Sequence, residues 1–385
     1  MAPNNLTDPR SGQTWYEAAT YVELQRRAGV SVSQLQNQPF FENLYTPGSL
    51  ATNFGYSAGT SNTQAVFLAQ TDFVGGNDWS SMQTILDDFG GKRLFHQNQY
   101  AALTSFGTIA SSDYHAMAVS LRQRLKGLTW DLNYTWSKSM DDASGLQNAG
   151  TFGSAFILNA LRQEDNRAVS DFDITHILNF NSVWEVPLGR GQKFGGNMNK
   201  FLDALLGGWQ LSTIYRYNSG IPINTSVVTA NGGRFFDDAG WVTNWNIKSG
   251  VIRIRDIQSS TNRFSRITAG GNNSPNLFTD IKAAYNSFRS PLPGESGDRN
   301  QIRFEGFIVL DAGLSKSFRM PWSETHKVTI RWDVFNVTNS AYLTGLASTA
   351  LGYQPDKGSP SAAWANLTTQ QGNPRIMQFA FRYDF

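Results

Sequence analysis

The chain has 385 residues, and its 32 Lys and Arg nearly balance its 30 Asp and Glu, so no strong positive field favours a nucleic-acid partner. It contains no cysteine, which excludes disulfide frameworks, cysteine-ligated zinc sites and thiol catalysis. Charged residues make up 16% of the chain against roughly 25% in ordinary soluble domains, whereas aromatic residues reach 13%, so the composition is polar and aromatic but weakly charged.

Residues 1–113 show no long alternation of apolar and polar side chains. The segment 15–29 has apolar residues at helical spacing and ends at Gly29, which predicts a short helix. The remainder is rich in Gly, Asn, Ser and aromatic residues, which is typical of loops. We therefore predict that 1–113 is a loop region with one short helix near 15–29.

From Tyr114 to the C-terminus, seven segments alternate apolar and polar residues. The clearest one is 128–137, in which every even-numbered residue is apolar and every odd-numbered residue is polar. This pattern predicts a strand, and the Lys126-Gly127 pair before it predicts a hairpin turn. The other six segments begin near 114, 174, 209, 307, 327 and 375.

The length of these segments favours a membrane barrel, because a tilted strand needs roughly 9 to 11 residues to cross a bilayer. Short connections at 126–127 and 321–326 alternate with long ones at 138–172, 220–301 and 340–373. Bacterial outer-membrane barrels have short periplasmic turns and long extracellular loops. The connection 189–207 is longer than a turn and contains a short helical pattern, NKFLDALLGG.

A soluble β-sandwich also alternates apolar and polar residues, but its wet face usually carries many Lys and Glu. Here the polar faces are mostly Thr, Ser, Asn and Gln, and the mean hydropathy of -0.36 is compatible with barrel strands, which average their two faces. We therefore predict an all-β fold, an antiparallel transmembrane β-barrel of which 114–385 supplies about seven C-terminal strands. We predict that six residues of the apolar faces contact lipid and that the tryptophans among them form an aromatic girdle. They are Trp130, Leu132, Trp136, Trp184, Trp209 and Trp332. Predicted to face the lumen are Arg122, Asp131, Arg216, Arg331 and Asp333.

Five blocks of sequence resemble the TonB-dependent outer-membrane receptors, in particular their Oar-like barrel group. The blocks are NYTWSKSMDDASG (133–145), SDFDITHILNFNSVWEVPLGRGQKFG (170–195), LLGGWQLSTIYRYNSGIPI (205–223), LDAGLSKSF (310–318) and RWDVFNVTN (331–339). The resemblance implies a barrel of about 22 strands with an internal plug that takes up bulky solutes with energy relayed by TonB. It also implies that residues 1–113 belong to a large extracellular loop.

The final strand also resembles the signal by which the assembly machinery recognises outer-membrane barrels. Its alternate residues are aromatic or apolar, namely Met377, Phe379, Phe381, Tyr383 and Phe385. The resemblance thus implies outer-membrane lipid and the assembly machinery as partners, and TonB only through a plug. Because no signal peptide, TonB box or plug is visible, we expect this chain to be a C-terminal fragment of a receptor.

The sequence contains no strong catalytic or metal-binding constellation. Its four histidines lie in different segments, and the Asp141-Asp142 and Asp237-Asp238 pairs are more typical of solvated loops than of cation sites. We therefore expect no enzyme activity, no metal and no cofactor. The predicted function is binding and uptake of a bulky solute; the alternatives are a surface adhesion protein without transport, or a soluble carbohydrate-binding sandwich.

Overall fold

The computed structural model describes fifteen separate parts of the chain. They are residues 6–74, 79–96, 108–144, 167–223, 226–227, 246–247, 276–278, 281–285, 288–289, 292–293, 300, 302–320, 322–346, 352–353 and 364–385. Helices dominate before residue 90 and strands dominate from Ser112 onward. None of the helices in these ranges combines the length and the apolar character needed to cross a membrane.

The N-terminal part is a helical unit, residues 6–96. Its helices are α1 (Trp15–Arg27), α2 (Pro39–Leu44), α3 (Ser49–Phe54), α4 (Asn62–Asp72) and α5 (Trp79–Phe89), with a 3₁₀ turn at Val32–Gln34. Reciprocal capping boxes begin two of these helices, Thr14 with Glu17 at α1 and Ser61 with Gln64 at α4. Pro39 occupies the first turn of α2, where its missing N–H leaves no helical hydrogen bond unmade.

An aromatic core holds the helical unit together. Trp15 is fully buried, and its ring lies 4.7 Å from that of Phe95 and 5.8 Å from those of Phe40 and Trp79. The buried carboxylate of Glu23 accepts hydrogen bonds from the Trp79 indole at 3.1 Å and from two neighbouring arginines. Its charge is therefore compensated inside the core.

This unit corrects one prediction from the sequence. The short helix predicted near 15–29 corresponds to α1, and four further helices, α2 to α5, lie in the part of 6–96 that the sequence interpreted as loop. Helices α2 and α3 have six residues each, too few to show a helical period. Helix α4 buries Asn62, Thr63 and Gln70 together with its apolar residues. Its buried side therefore does not appear in the sequence as a row of apolar residues.

The remainder of the described chain is mainly β-structure. The strands are β1 (Ser112–Leu125), β2 (Leu128–Asp141), β3 (Ala168–Val169), β4 (His176–Glu185), β5 (Trp209–Asn218), β6 (Pro222–Ile223), β7 (Ser226–Val227), β8 (Asn246–Ile247), β9 (Phe288–Arg289), β10 (Ile302–Arg303), β11 (Phe307–Met320), β12 (Ser323–Phe335), β13 (Tyr342–Leu346), β14 (Gly352–Tyr353), β15 (Leu367–Gln371) and β16 (Ile376–Asp384). Two short helices are α6 (Lys200–Leu206) and α7 (Ile281–Tyr285).

The seven long strands form one antiparallel sheet in the order β1-β2-β4-β5-β11-β12-β16, and β3 adds a short pairing to β2. These are the seven strands that the sequence predicted, with β1 and β12 beginning a few residues earlier than expected. Strands β1 and β16 form the two edges, and they are not paired with each other in the described residues. The short pairings β6-β10, β13-β15, β7-β14 and β8-β9 lie outside this sheet.

The connections divide the sheet into two ends. The turns after β1 and β11 and the connection with α6 after β4 lie at one end, which we call the short-turn end. The connections after β2, β5 and β12 lie at the other, the long-connection end. Ser112, the first residue of β1, is paired with Asp141 at that second end, so the helical unit joins the sheet there. Thr20 of α1 also donates to the Pro293 carbonyl at 3.3 Å, in the connection after β5.

Candidate functional site

The sheet has one polar and one apolar face. Residues paired across antiparallel strands point to the same side, so the register assigns each side chain to a face. Arg122 is paired with Asp131, Asp131 with Asn181, and Asn181 with Ile214. These paired residues form one row across the sheet. Every second residue along each strand, counted from this row, points to the same side, which we call the polar face.

All five residues predicted to face the lumen lie on the polar face. Arg122 and Asp131 form one pair, and Arg216 lies opposite Asn179, two residues before Asn181 on the same strand. A second row runs from Thr129 through Val183, Ser212 and Gly313 to Asp333, and Arg331 lies two residues from Asp333 on β12. The structure therefore brings these five residues to one face; that this face lines a lumen stays a prediction.

Two ion pairs form within this set. Arg122 Nε lies 3.1 Å from Asp131 Oδ2, and Arg331 Nε donates to Asp333 Oδ1 at 2.8 Å. Both arginines are largely exposed, so each pair contributes only about 0–1 kcal/mol and mainly orients its side chains. No acidic group lies within ion-pair distance of Arg216 among the residues that the structure describes.

The middle of the polar face contains a cavity of about 460 Å³. Gly313 permits its shape, because a Cβ atom there would lie 2.6 Å from Asp333 Oδ1 and 2.7 Å from the Ser212 hydroxyl. Carboxylate, guanidinium, amide and hydroxyl groups line the cavity. They belong to Asp131, Asp311, Asp333, Arg331, Asn181, Thr129 and Ser212. Most of the lining surface is nevertheless apolar and includes Val183, Ile214 and Phe335, so the cavity suits a solute that has both apolar and polar parts.

A second cavity, of about 590 Å³, lies at the long-connection end. Its lining combines aromatic and polar residues, including Phe304, Phe307, Tyr342, Glu305 and Gln371. The rings of Phe307 and Tyr342 meet edge to face at 5.2 Å. Aromatic surfaces with amide and carboxylate groups beside them suit binding of a solute that has both apolar and polar parts.

Buried polar contacts fix the connections at this end. Asp173 is almost fully buried and binds Arg303 at 2.5 Å, and Asn300 donates to the Val169 carbonyl at 2.7 Å. Burial by itself raises the pKa of the Asp142 carboxyl, but hydrogen bonds from Ser111 and the nearby guanidinium of Arg167 outweigh burial and lower the pKa below its ordinary value.

Hydrogen bonds at this end also engage both carboxylates of the Asp141-Asp142 pair. Asp141 accepts a hydrogen bond from Ser144 at 2.7 Å, and Asp142 accepts bonds from the backbone and hydroxyl of Ser111. Within the described ranges, no group of three or more potential ligands could hold a metal ion. The Asp237-Asp238 pair lies outside those ranges.

The predicted lipid-facing residues all lie on the apolar face. One register row runs through Leu128, Trp184, Leu211, Leu314, Trp332 and Phe379. The rings of Trp332 and Phe379 stack at 5.8 Å and 4°. Further along, Leu132 lies between Leu121 and Phe180 in the middle of the face.

The tryptophans of this face lie at two heights. Trp130, Trp184 and Trp209 are near the short-turn end. Trp136, which is opposite His176, and Trp332, three residues before the end of β12, lie towards the other end. Leu128 and Trp136 are about 26 Å apart along β2 at about 3.3 Å per residue, and strand tilt shortens this span to about 20 Å across a membrane. This span is comparable with the about 25 Å apolar band of outer-membrane barrels.

The residues predicted as an assembly signal lie on β16. Met377, Phe379, Phe381 and Tyr383 share the apolar face with Val334, Trp332, Ile330 and Val328 of β12. Phe385 lies beyond Asp384, the last residue paired with β12, and its side chain is 91% exposed. The geometry thus gives these residues a common apolar surface; their role as a signal stays a prediction.

The sequence did not single out Lys316, which lies on the apolar face between Trp209 and Ile330 in the register. Its ammonium group lies 5.6 Å from the Trp209 ring and 4.9 Å from the Phe318 ring. It donates to the Ala204 carbonyl at 2.6 Å and to the Asp203 carbonyl at 3.3 Å. The sequence does contain a signal for it, because Lys316 occupies a position of the alternating segment at which an apolar residue is expected.

An antiparallel sheet of strands long enough to cross a bilayer, with one apolar and one polar face, defines the class of membrane β-barrels. The family described as outer membrane beta barrel domain matches residues 34–378, which include α2–α5, the sheet from β1 to β12 and the beginning of β16. The chain belongs to this family, and its place is the outer membrane. No curated protein matches the chain. Membership confirms the predicted barrel fold and removes the soluble sandwich as an alternative.

Proposed function

We propose that this chain forms barrel strands of a TonB-dependent, Oar-like receptor that binds a bulky solute and takes it up, without covalent chemistry. The observation that carries the proposal is the polar face, where five charged residues and a cavity of about 460 Å³ lie on the side opposite the apolar surface. A barrel with this arrangement presents binding groups to a solute in its interior.

The resemblance to the receptor group supports this choice. Its five sequence blocks fall on β2, β4, β5, β11 and β12, which form the centre of the sheet rather than its edges. In the proposal, the apolar face contacts outer-membrane lipid, the assembly machinery recognises β16, and TonB acts through a plug rather than on these strands.

Depletion of solutes from the growth medium tests uptake whatever the identity of the ligand. Cells that make the receptor and TonB should remove at least one bulky solute, measured by untargeted mass spectrometry of the medium. Cells that lack either protein should leave it. A solute that disappears equally without TonB, or no receptor-dependent depletion at all, would contradict the proposed transport.

The helical unit favours adhesion as a second candidate. It has its own buried core and joins the sheet at the long-connection end, which corresponds to the outside of the cell in a barrel of this class. Removal of residues 6–96 should then reduce attachment of intact cells to a surface while the barrel stays in the membrane. Unchanged attachment would leave only the transport function.

A further inference from the structure

The connection between β4 and β5, residues 186–208, contains a helix whose apolar side is uncovered. Phe201, Leu202, Leu205 and Leu206 of α6 are all exposed, and the Phe201 side chain is 80% accessible. These positions lie within an arc of about 140° at about 100° per residue, so they form one side of the helix. Water alone is a poor environment for four adjacent large apolar side chains.

The opposite side of α6 is fixed to the connection. Asp203 Oδ1 accepts a hydrogen bond from the Arg190 backbone N–H at 2.6 Å. Gly189 and Gly207 pack so closely here that a Cβ on Gly189 would lie 2.7 Å from Asp203 Oδ1 and 2.9 Å from the Gly207 Cα. Rotation of the helix to bury its apolar side against the connection would break these contacts.

The end of α6 is attached to the apolar face of the sheet. Lys316, which projects from that face, donates to the Ala204 and Asp203 carbonyls, and the Trp209 indole donates to the Leu205 carbonyl at 3.0 Å. The helix therefore continues the apolar surface of the sheet at its short-turn end. Trp322, in the neighbouring turn between β11 and β12, is 71% exposed at the same end.

Charge in this connection points to an anionic partner. Residues 186–208 contain three basic residues, Arg190, Lys193 and Lys200, which are all exposed, and one acidic residue, Asp203, which is engaged by the Arg190 N–H. Lys193 also lies 5.6 Å above the exposed ring of Phe194. Apolar side chains beside basic ones are the pattern of helices that lie in the interface of anionic membranes.

We propose that residues 186–208, with Trp322, form an anchor that lies in the headgroup region of the bilayer at the short-turn end. The partner is anionic phospholipid, which receives Phe201 and Leu205 at its acyl boundary and the basic side chains at its headgroups. Lys316 holds the helix end over the apolar face. This inference rests on the assignment of that face to lipid in the proposed function.

The absence of cysteine permits a test by single nitroxide labels. Phe201→Cys and Leu205→Cys are labelled in the full chain, reconstituted in vesicles of phosphatidylcholine and phosphatidylglycerol. Collision rates with oxygen, which concentrates in lipid, and with a water-soluble nickel complex are measured by electron paramagnetic resonance. Asn197→Cys, an exposed polar position in the same connection, is the matched control, and Leu132→Cys is the lipid reference.

We expect the oxygen-to-nickel ratio at 201 and 205 to exceed that at 197 several-fold and to lie below that at 132. Ratios at 201 and 205 equal to that at 197, with 132 in lipid, overturn the anchor and leave the face assignment intact. A label at 132 that reports water overturns both. In vesicles of phosphatidylcholine alone the ratios at 201 and 205 should fall; unchanged ratios overturn the requirement for anionic lipid.

Discussion

Leu132 and Asn133 are neighbouring residues of β2 that face opposite sides of the sheet. Leu132 lies between Leu121 and Phe180, whereas Asn133 lies between Ser120 and Asn179 and accepts a hydrogen bond from the Ser120 hydroxyl at 2.7 Å. Adjacent positions thus provide a matched pair for testing which face meets lipid.

Leu132→Arg should lower the free energy of unfolding by about 2 to 4 kcal/mol, because a guanidinium near the bilayer midplane loses its hydration. Asn133→Arg should cost much less, since its neighbours are polar. Urea titration of the protein in lipid vesicles measures both values. Equal costs, or the reverse order, would show that the two faces have been assigned wrongly.

A second prediction for a single residue concerns Asp8, a fully buried carboxylate in the helical unit. Burial raises its pKa, but hydrogen bonds from Ser11, from Asn43 and from the backbone of Arg10 and Ser11 outweigh burial and lower the pKa to about 2. Because the pKa is lower in the folded state than the roughly 3.9 of an unfolded Asp, its stabilisation is present above about pH 4 and is lost as the pH falls through about 2.

Asp8→Asn should therefore weaken the helical unit at pH 7 and remove this part of its acid dependence between about pH 4 and 2. Protection factors from hydrogen exchange of the full chain, measured across that range, give the comparison. Asp88→Asn, which changes an exposed carboxylate of α5, is the control and should behave like the unmodified chain. The same acid dependence in both variants would contradict the role of Asp8.

Among the elements, the helices of the N-terminal unit depend on Trp15, which lies on α1 and contacts rings from α2, α5 and the segment after α5. Trp15→Ala should destabilise the unit by about 3 to 5 kcal/mol, because a large buried side chain leaves a cavity. Leu24→Ala, at a position of α1 that is 46% exposed, should change stability by only about 0.5 kcal/mol.

Hydrogen exchange of the full chain in increasing urea distinguishes these variants. Faster exchange in Trp15→Ala should be confined to residues 6–96, since the helical unit has a buried core of its own, formed entirely within those residues. Loss of protection in the strands as well would show that the helical unit and the sheet unfold together.

At the scale of the whole molecule, β16 forms one edge of the sheet. Phe385 follows this strand, and its ring stacks on that of Tyr383 with 6.2 Å between the ring centres. Phe385 follows the last residue paired with β12, so its deletion removes apolar contact rather than strand pairing. The deletion should lower the free energy of unfolding by only about 1 to 3 kcal/mol.

If Phe385 is part of the assembly signal, its deletion should sharply lower the amount of the protein in the outer membrane. Refolding of the same variant from urea into vesicles should change little. Phe385→Tyr, which keeps a terminal aromatic ring, should restore the membrane level. Undiminished levels after the deletion would show that the aromatic C-terminus serves lipid contact alone.

The amino-acid sequence was sufficient to predict the seven strands and the two faces of the sheet. Strand alternation has a period of two residues, so a segment such as 128–137 shows both faces before its partner strands are identified. The structure confirms these strands and places Arg122 and Trp130 on opposite sides, as predicted. The order of the long strands in the sheet follows their order in the chain, because each long strand pairs with the next one along the sequence.

The helical unit, the cavity on the polar face and the attachment of α6 emerged only from the folded chain. Each depends on residues distant in the chain, such as Trp15 with Phe95 or Lys316 with Ala204. Short helices carry too little periodicity to be identified locally, and their stability comes from packing that a linear pattern does not contain. The same limit applies to the cavity, because Asp131 and Arg331 line it together only through the register of the strand pairings that lead from β2 to β12.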